Sequence, residues 1–338
     1  MTAEAYRAAG VDREAAAAVK RRIAEYARLT HGPQVLGGVG GFAGCFALEG
    51  YRQPVLVATT DGVGTKARVA AALRRWEGLG VDLVNMNLGD LVTCGARPLF
   101  FLDLVSVPRI EPQMVEELVR GVVRACREAG CALLGGETAE MPDTYLPGGG
   151  ELAGFLVGVV EREAMLDPAA VRAGDALLGV PSSGVHTNGF SLVRRALRLD
   201  EEPRELARFY PELGATLGDA LLTPHRAYWP LLEPVVPLVK AMAHITGGGL
   251  VENVPRALPE GLAARLRAEA WETPPIFHLV QRRGGISPEE MYRVFNMGVG
   301  MVLACAPERA AEVGRLLPEA RVIGEVEPHR GGERVTIA

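Results

Sequence analysis

Apolar runs of strand length alternate with amphipathic stretches of helix length along this chain, and the alternation starts afresh after Arg162. In the first half, residues 54–60, 99–107, 131–134 and 152–160 read as strands, and 14–29, 81–94 and 115–129 as helices. Gly95 and Gly130 stand just past the last two helices, where glycine accepts the left-handed turn that ends a helix. In the second half, 176–180, 298–304 and 322–326 read as strands, and 189–199, 250–254 and 308–317 as helices. Interleaving of this kind implies α/β (α+β) layers, and 338 residues are too many for one comfortable core. Asp167-Pro168 and Ala173-Gly174-Asp175 read as a connection, so two domains are expected, 1–167 and 168–338. The pattern leaves strand direction open.

Charge and hydropathy remove several classes of function. The net charge is −5 and no run of Lys and Arg occurs, which argues against a nucleic-acid surface. No run of eighteen apolar residues offers a membrane span, and the alanine-rich, partly acidic start does not read as a signal peptide. Five scattered cysteines without a C-x-x-C leave no zinc ribbon or thioredoxin-type motif. Buried, reduced thiols and a cytoplasmic location are expected. Lysine occurs only at Lys20, Lys66 and Lys240 among many arginines, so each retained ammonium invites a specific role.

The first chemical signal is Asp61-Gly62-Val63-Gly64-Thr65-Lys66 at the end of a strand. It is not a Walker A loop, yet it suits phosphate chemistry. Gly62, Gly64 and Thr65 let backbone N–H groups approach an anion, Lys66 adds a cation, and Asp61 can hold Mg²⁺. Asp90 on the following helix and Gly135-Gly136-Glu137-Thr138 after a strand add carboxylates and glycines of the same kind. Asp61, Asp90 and Glu137 are therefore the expected metal ligands. Taken singly, each carboxylate reads more readily as a solvated surface group; together, beside glycines at strand and helix ends, they favour a nucleotide–metal site.

In the second half, Ser182, Ser183, His186 and Asn188 lie in a loop that opens a helix, and Thr246-Gly247-Gly248-Gly249 precedes another. Both read as anion cradles, suited together to a ligand bearing a sugar phosphate. His186 is the candidate phosphate donor or general base. The glycine run around Gly38–Ala43 satisfies a relaxed dinucleotide fingerprint but neither follows a strand nor opens a long helix, so it reads as a loop near the nucleotide.

Six strings taken together resemble the phosphoribosylformylglycinamidine cyclo-ligase (aminoimidazole ribonucleotide synthetase) family. They are TDGVGTK (60–66), GARPLFFLD (95–103), GGETAEMP (135–142), PSSGVHTNGFSLVRR (181–195), HITGGGLVENVPR (244–256) and MYRVFNMGVGM (291–301), in the family's order. The resemblance implies a two-domain PurM-like fold whose N-terminal sheet pairs across a homodimer. It implies ATP and Mg²⁺ as cofactors and formylglycinamidine ribonucleotide as substrate. The implied reaction closes that substrate to aminoimidazole ribonucleotide, with ADP and phosphate released. Two departures stand out: family members often carry amide side chains where this chain has Gly89 and Cys94. Among relatives of the same architecture, a selenophosphate synthetase would need a reactive Cys or Sec beside lysine, and Cys45 has no lysine neighbour. A thiamine monophosphate kinase would lack GGETAEMP and the SSG-x-H string. From another class, a nucleotide-sensing module would keep the first-half cradle and discard the second.

Overall fold

The computed structural model describes residues 13–38, 40–145 and 149–338. The leader reading at Met1 and Val39 of the glycine run lie outside the described residues.

The first half is a four-stranded sheet covered on one face by helices. Its strands are β3 (Pro54–Gly62), β4 (Arg97–Val107), β5 (Ala132–Glu140) and β6 (Glu151–Glu161), in the order β3-β6-β4-β5. Only β4 and β5 run parallel. Before them, β1 (Val35–Leu36) and β2 (Cys45–Phe46) pair as a short hairpin with the glycine run at its tip. A helix α1 (Arg13–Arg28) precedes the hairpin, and α2 (Lys66–Leu73), α3 (Glu77–Val92) and α4 (Pro112–Ala129) follow β3 and β4.

Helix α3 is the axis of the molecule, buried along nearly its whole length. It packs on the sheet on one side, on α4 on another and on the second half on a third. Glycine permits the tightest of these contacts. A Cβ on Gly80 would lie 2.0 Å from the Leu118 carbonyl oxygen, and one on Gly121 2.0 Å from that of Glu77. The polar residues of α3 point at its neighbours. Asn85 donates to the His225 carbonyl at 2.8 Å and Asn87 to the Asp61 carbonyl at 3.3 Å.

The second half carries a six-stranded sheet, β10-β12-β7-β13-β11-β14. Its strands are β7 (Ala176–Pro181), β10 (Ala241–His244), β11 (Leu262–Leu266), β12 (Val299–Cys305), β13 (Arg321–Pro328) and β14 (Val335–Ile337), with β8 (Phe209–Tyr210) and β9 (Ala215–Thr216) in a separate hairpin. All neighbours in the large sheet are antiparallel except β11 and β14. The last strand of the first sheet ends at Glu161 and the first of the second begins at Ala176, so residue 167 falls between the sheets. One apolar core runs through both halves, joining Leu83 and Leu91 to Leu178, Tyr228 and Leu303.

Two expectations are corrected. Residues 135–140 are strand rather than loop: β5 continues through Glu140 because it pairs with β4 as far as Val107. The thiols are not all buried: Cys126, Cys131 and Cys305 are, but Cys45 is exposed on the surface hairpin and Cys94 is half-buried. Among the described residues, no helix is long and apolar enough to cross a membrane.

Candidate active site

Strand β3 delivers Asp61 to the sheet edge nearest the second half. Its Oδ1 accepts the Gly62 N–H at 2.7 Å. Burial raises the Asp61 pKa and the negative charge of Asp90 adds to the rise, while the Gly62 bond and His244 oppose it. Asp90, near the end of α3, gives Oδ1 to His244 Nδ1 at 2.8 Å. Here the halves meet: His244 ends β10, and its ring lies where a Cβ on residue 89 would sit, 2.4 Å away. Gly89 thus leaves the space in which the His244 ring packs against α3.

The three carboxylates expected to share a metal are not gathered in one chain. Residue pairing aligns Asp61, Gly154, Asp103 and Gly136 on the helix-covered face, whereas Glu137 pairs with Leu104 on the open face. Glu137 also lies three strands from β3, about 14 Å at ordinary strand spacing. Gly135 and Gly136 are likewise strand residues and not an anion loop. A Cβ on Gly136 would lie 2.0 Å from Asp103 Oδ1, so this glycine makes room for a carboxylate that the sequence did not single out. Burial pushes Asp103 up to about 7, helped by the charge of Glu137.

Lys66 does not reach a phosphate site. Its ammonium is fully buried, donating to Asp82 Oδ1 at 3.0 Å and to the Thr223 carbonyl at 2.9 Å, with Asp82 Oδ2 at 2.8 Å completing the ion pair. Lys240 is held the same way by buried Asp175, at 2.7 and 2.8 Å. Both lysines whose side chains are described pair with a buried aspartate, Lys66 fully enclosed and Lys240 partly exposed.

What remains of the first-half cradle is exposed Gly64, at φ +57°, and Thr65, whose hydroxyl meets that of Ser191 at 3.2 Å. Both line a cleft of about 550 Å³ that also presents Arg68, Arg109, Trp76 and Met114. That size and mixture of apolar wall and cations suit a nucleotide.

The second-half loops are more tightly tied than their sequence suggests. Ser182 Oγ donates to Asn296 Oδ1 at 2.9 Å, and Ser183 Oγ to the Pro224 carbonyl at 2.6 Å. Asn253 Nδ2 donates to the carbonyls of Gly247 and Gly249, at 3.0 and 2.9 Å. Gly249, at φ +58°, is pressed against Tyr292, whose carbonyl oxygen would lie 2.1 Å from a Cβ. The helices that follow, α5 (Phe190–Ala196) and α8 (Gly249–Asn253), are too short for the dipole-based anion sites expected of them. Between these loops, α6 (Leu217–Leu221) and α7 (Trp229–Leu232) bracket the segment that carries His225.

His186 is buried, not exposed in a loop, and burial holds its pKa well below the usual value, so the ring is neutral. Its Nε2 accepts the Ser183 N–H at 3.2 Å, which leaves the proton on Nδ1. That atom, Thr187 Oγ1 and Asn188 Nδ2 are buried and have no partner among the described residues. Three successive orphaned polar atoms ask for a polar ligand or water. Asn188 Oδ1 lies 3.5 Å from the Cβ position of Gly247, so the two second-half motifs stand side by side.

The sequence relationships agree with this architecture. Residues 43–160 match the family described as AIR synthase related protein, N-terminal domain, and 172–336 its C-terminal counterpart. The phosphoribosylformylglycinamidine cyclo-ligase of Carboxydothermus hydrogenoformans is 48% identical over 98% of this chain and 98% of its own. That of Myxococcus xanthus is 48% identical over 96% of each chain. The chain belongs to the phosphoribosylformylglycinamidine cyclo-ligase family. Solved structures of other proteins share its fold. Thiamine-monophosphate kinase from Stenotrophomonas maltophilia superposes with a TM-score of 0.68 at 18% identity, covering 94% of this chain and 95% of that one. Hydrogenase maturation protein HypE in complex with ATP gives 0.66 at 16%, covering 94% and 90%. At such identities the likeness speaks for the fold alone. The cyclo-ligase relatives differ from these neighbours in being 48% identical over nearly the whole chain.

Proposed function

We propose that this chain closes the imidazole ring of formylglycinamidine ribonucleotide at the expense of ATP, in the cytoplasm, where its five thiols stay reduced. The observation that carries the reading is the 2.8 Å contact of Asp90 with His244, which joins the carboxylate side of the first half to the substrate loops of the second. ATP is assigned to the cleft at Gly64, Thr65, Arg68, Trp76 and Arg109, and the substrate to the loops at 182–188 and 246–249, where three orphaned polar atoms await partners.

Formamide oxygen is a poor leaving group. Attack of that oxygen on the γ-phosphorus of ATP expels ADP, and the amide nitrogen gives up its proton. A nitrogen of the amidine side then attacks the activated carbon. The carbon–oxygen bond breaks, the oxygen leaves as part of phosphate, and the ring nitrogen loses a proton. Protein groups contribute mainly position and charge to such a transfer. Asp61 suits Mg²⁺: it offers hard carboxylate oxygen at a partly exposed strand end where Asp90 adds negative charge. Mg²⁺ held there would neutralise phosphate charge. Asp90 itself is engaged by His244 and is assigned to that histidine. Incubation with formylglycinamidine ribonucleotide, ATP and Mg²⁺ is expected to give aminoimidazole ribonucleotide and ADP in equal amounts; ATP hydrolysis without the aminoimidazole would contradict the reading.

A homodimer is part of the proposal. The open sheet face exposes Leu56, Phe155 and Leu104, at 62, 39 and 38% of their full areas, an apolar surface unusual for a free sheet. Pairing through it would also bring Glu137 to the seam, so a site that uses Glu137 would be completed across the pair. Sedimentation at micromolar concentration is expected to show twice the chain mass of 36.0 kDa, and a monomer would contradict it.

A further inference from the structure

A third histidine stands behind His244, and nothing above gives it a role. His225 is buried between Pro224 and Arg226, held by its backbone N–H on Asp82 Oδ1 at 2.6 Å and by its carbonyl on Asn85. Its ring stacks on His186 with centroids 3.8 Å apart and meets Tyr228 edge-on at 5.9 Å. The ring therefore has one orientation.

The hydrogen-bond partners then settle where the protons are. Nδ1 of His225 faces the Arg226 carbonyl oxygen at 3.0 Å. A carbonyl only accepts, so this Nδ1 carries the proton. The ring is neutral, since burial holds its pKa well below the usual value, and its Nε2 is left with a lone pair. That lone pair faces Nε2 of His244 at 3.0 Å. Two lone pairs do not face each other at that distance, so His244 carries a proton on Nε2 and donates it. With Nε2 occupied, His244 Nδ1 is the nitrogen that shares a proton with Asp90 Oδ1. The His244 side chain is 2% exposed and that of Asp90 37%, so the pair meets solvent at the carboxylate. A metal is the other reading of the cluster, because the ligand atoms of His186, His225 and His244 lie within 4.8 Å of one another. The His186 and His225 rings, however, stack at only 27°, which sets their in-plane lone pairs side by side instead of converging on one ion.

We infer that His225 is a positioning residue that fixes His244 as the Nε2–H tautomer and thereby makes Asp90–His244 a proton-exchanging pair in ring closure. The inference rests on the function proposed above. The test uses the full chain labelled with ¹⁵N-histidine, as wild type, His225→Leu and His225→Gln. Glutamine keeps an acceptor for the His244 proton and leucine does not. Long-range ¹H–¹⁵N spectra are expected to show His244 protonated on Nε2 in the wild type and in His225→Gln, and the proton moved to Nδ1 in His225→Leu. Turnover of formylglycinamidine ribonucleotide is expected to fall by about 100-fold in kcat for His225→Leu, the scale of a misplaced acid–base group, with KM changed less than about twofold and most of the loss recovered in His225→Gln. A wild-type His244 with no proton on Nε2 overturns the inference even if the leucine variant does not fold, as does a stoichiometric transition metal bound to the three histidines or wild-type kcat in a folded His225→Leu. A wild type that makes no aminoimidazole ribonucleotide would refute the proposed function, while the spectra would still decide the tautomer.

Discussion

Asp61→Asn is expected to leave a protein that melts as the wild type does and turns over at least about 1000-fold more slowly, the scale on which charge-neutralising groups act in phosphoryl transfer. The fold should survive because the change is isosteric and the site is an edge. Asparagine can still accept the Gly62 N–H through its side-chain oxygen, and the main-chain bond from Asn87 is untouched. Removing one of two neighbouring negative charges also relieves the repulsion from Asp90 that helps raise the Asp61 pKa. What is lost is the charge that holds a hard cation against the nucleotide. Steady-state kinetics beside a thermal melt separate the two effects. Near-normal kcat in a folded variant would take Asp61 out of the mechanism.

Lys66→Met is expected to act in the opposite way, on stability first. It would leave the Asp82 carboxylate at 0% exposure without its counter-charge, facing only the His225 N–H. Breaking a buried pair from one side costs about 3–5 kcal/mol, because the remaining charge is stranded. Lys66→Arg should also destabilise, since the enclosed ammonium leaves no room for a guanidinium between Asp82, Thr223 and the Phe190 ring. Denaturant unfolding measures both. Unchanged stability in Lys66→Met, with ATP affinity lost instead, would return the lysine to the phosphate site.

The difference between these two residues shows what the sequence could convey. Periodicity and glycines located every strand of the first sheet to within a few residues, except at β5. There the glycines of GGETAE looked like a loop, but they lie within a strand, where Gly136 makes room for Asp103. Lys66 and His186 were legible as chemistry-bearing residues and misplaced as exposed ones. Burial by a distant segment, Thr223 in one case and His225 in the other, leaves no local mark. Glu137 was read as following a strand beside glycines; it lies inside that strand, and which face it points to depends on a register that only pairing with β4 defines. The strands β11 and β14 went unread because they are short and sit among prolines and charges. His225 had no signal of its own in the sequence. Its meaning comes from two atoms 3.0 Å away, one on the next residue and one on strand β10.

The central claim is that ring closure passes through phosphorylation of the formyl oxygen, and the fate of that oxygen tests it most directly. The carboxylate end of the first half meets the second-half loops at Asp90 and His244, and the cleft assigned to ATP begins at Gly64, three residues beyond Asp61, an arrangement that suits bringing a γ-phosphoryl group to a substrate amide. If the oxygen attacks phosphorus, it stays bonded there and departs with phosphate when the ring closes. Formylglycinamidine ribonucleotide carrying ¹⁸O in its formyl group should therefore give inorganic phosphate with one ¹⁸O per turnover, read by the ³¹P isotope shift or by mass. A nucleotide sensor, a simple ATPase or a kinase acting on a hydroxyl has no route to that transfer. Label found in water, with unlabelled phosphate, would mean direct dehydration and would contradict the account.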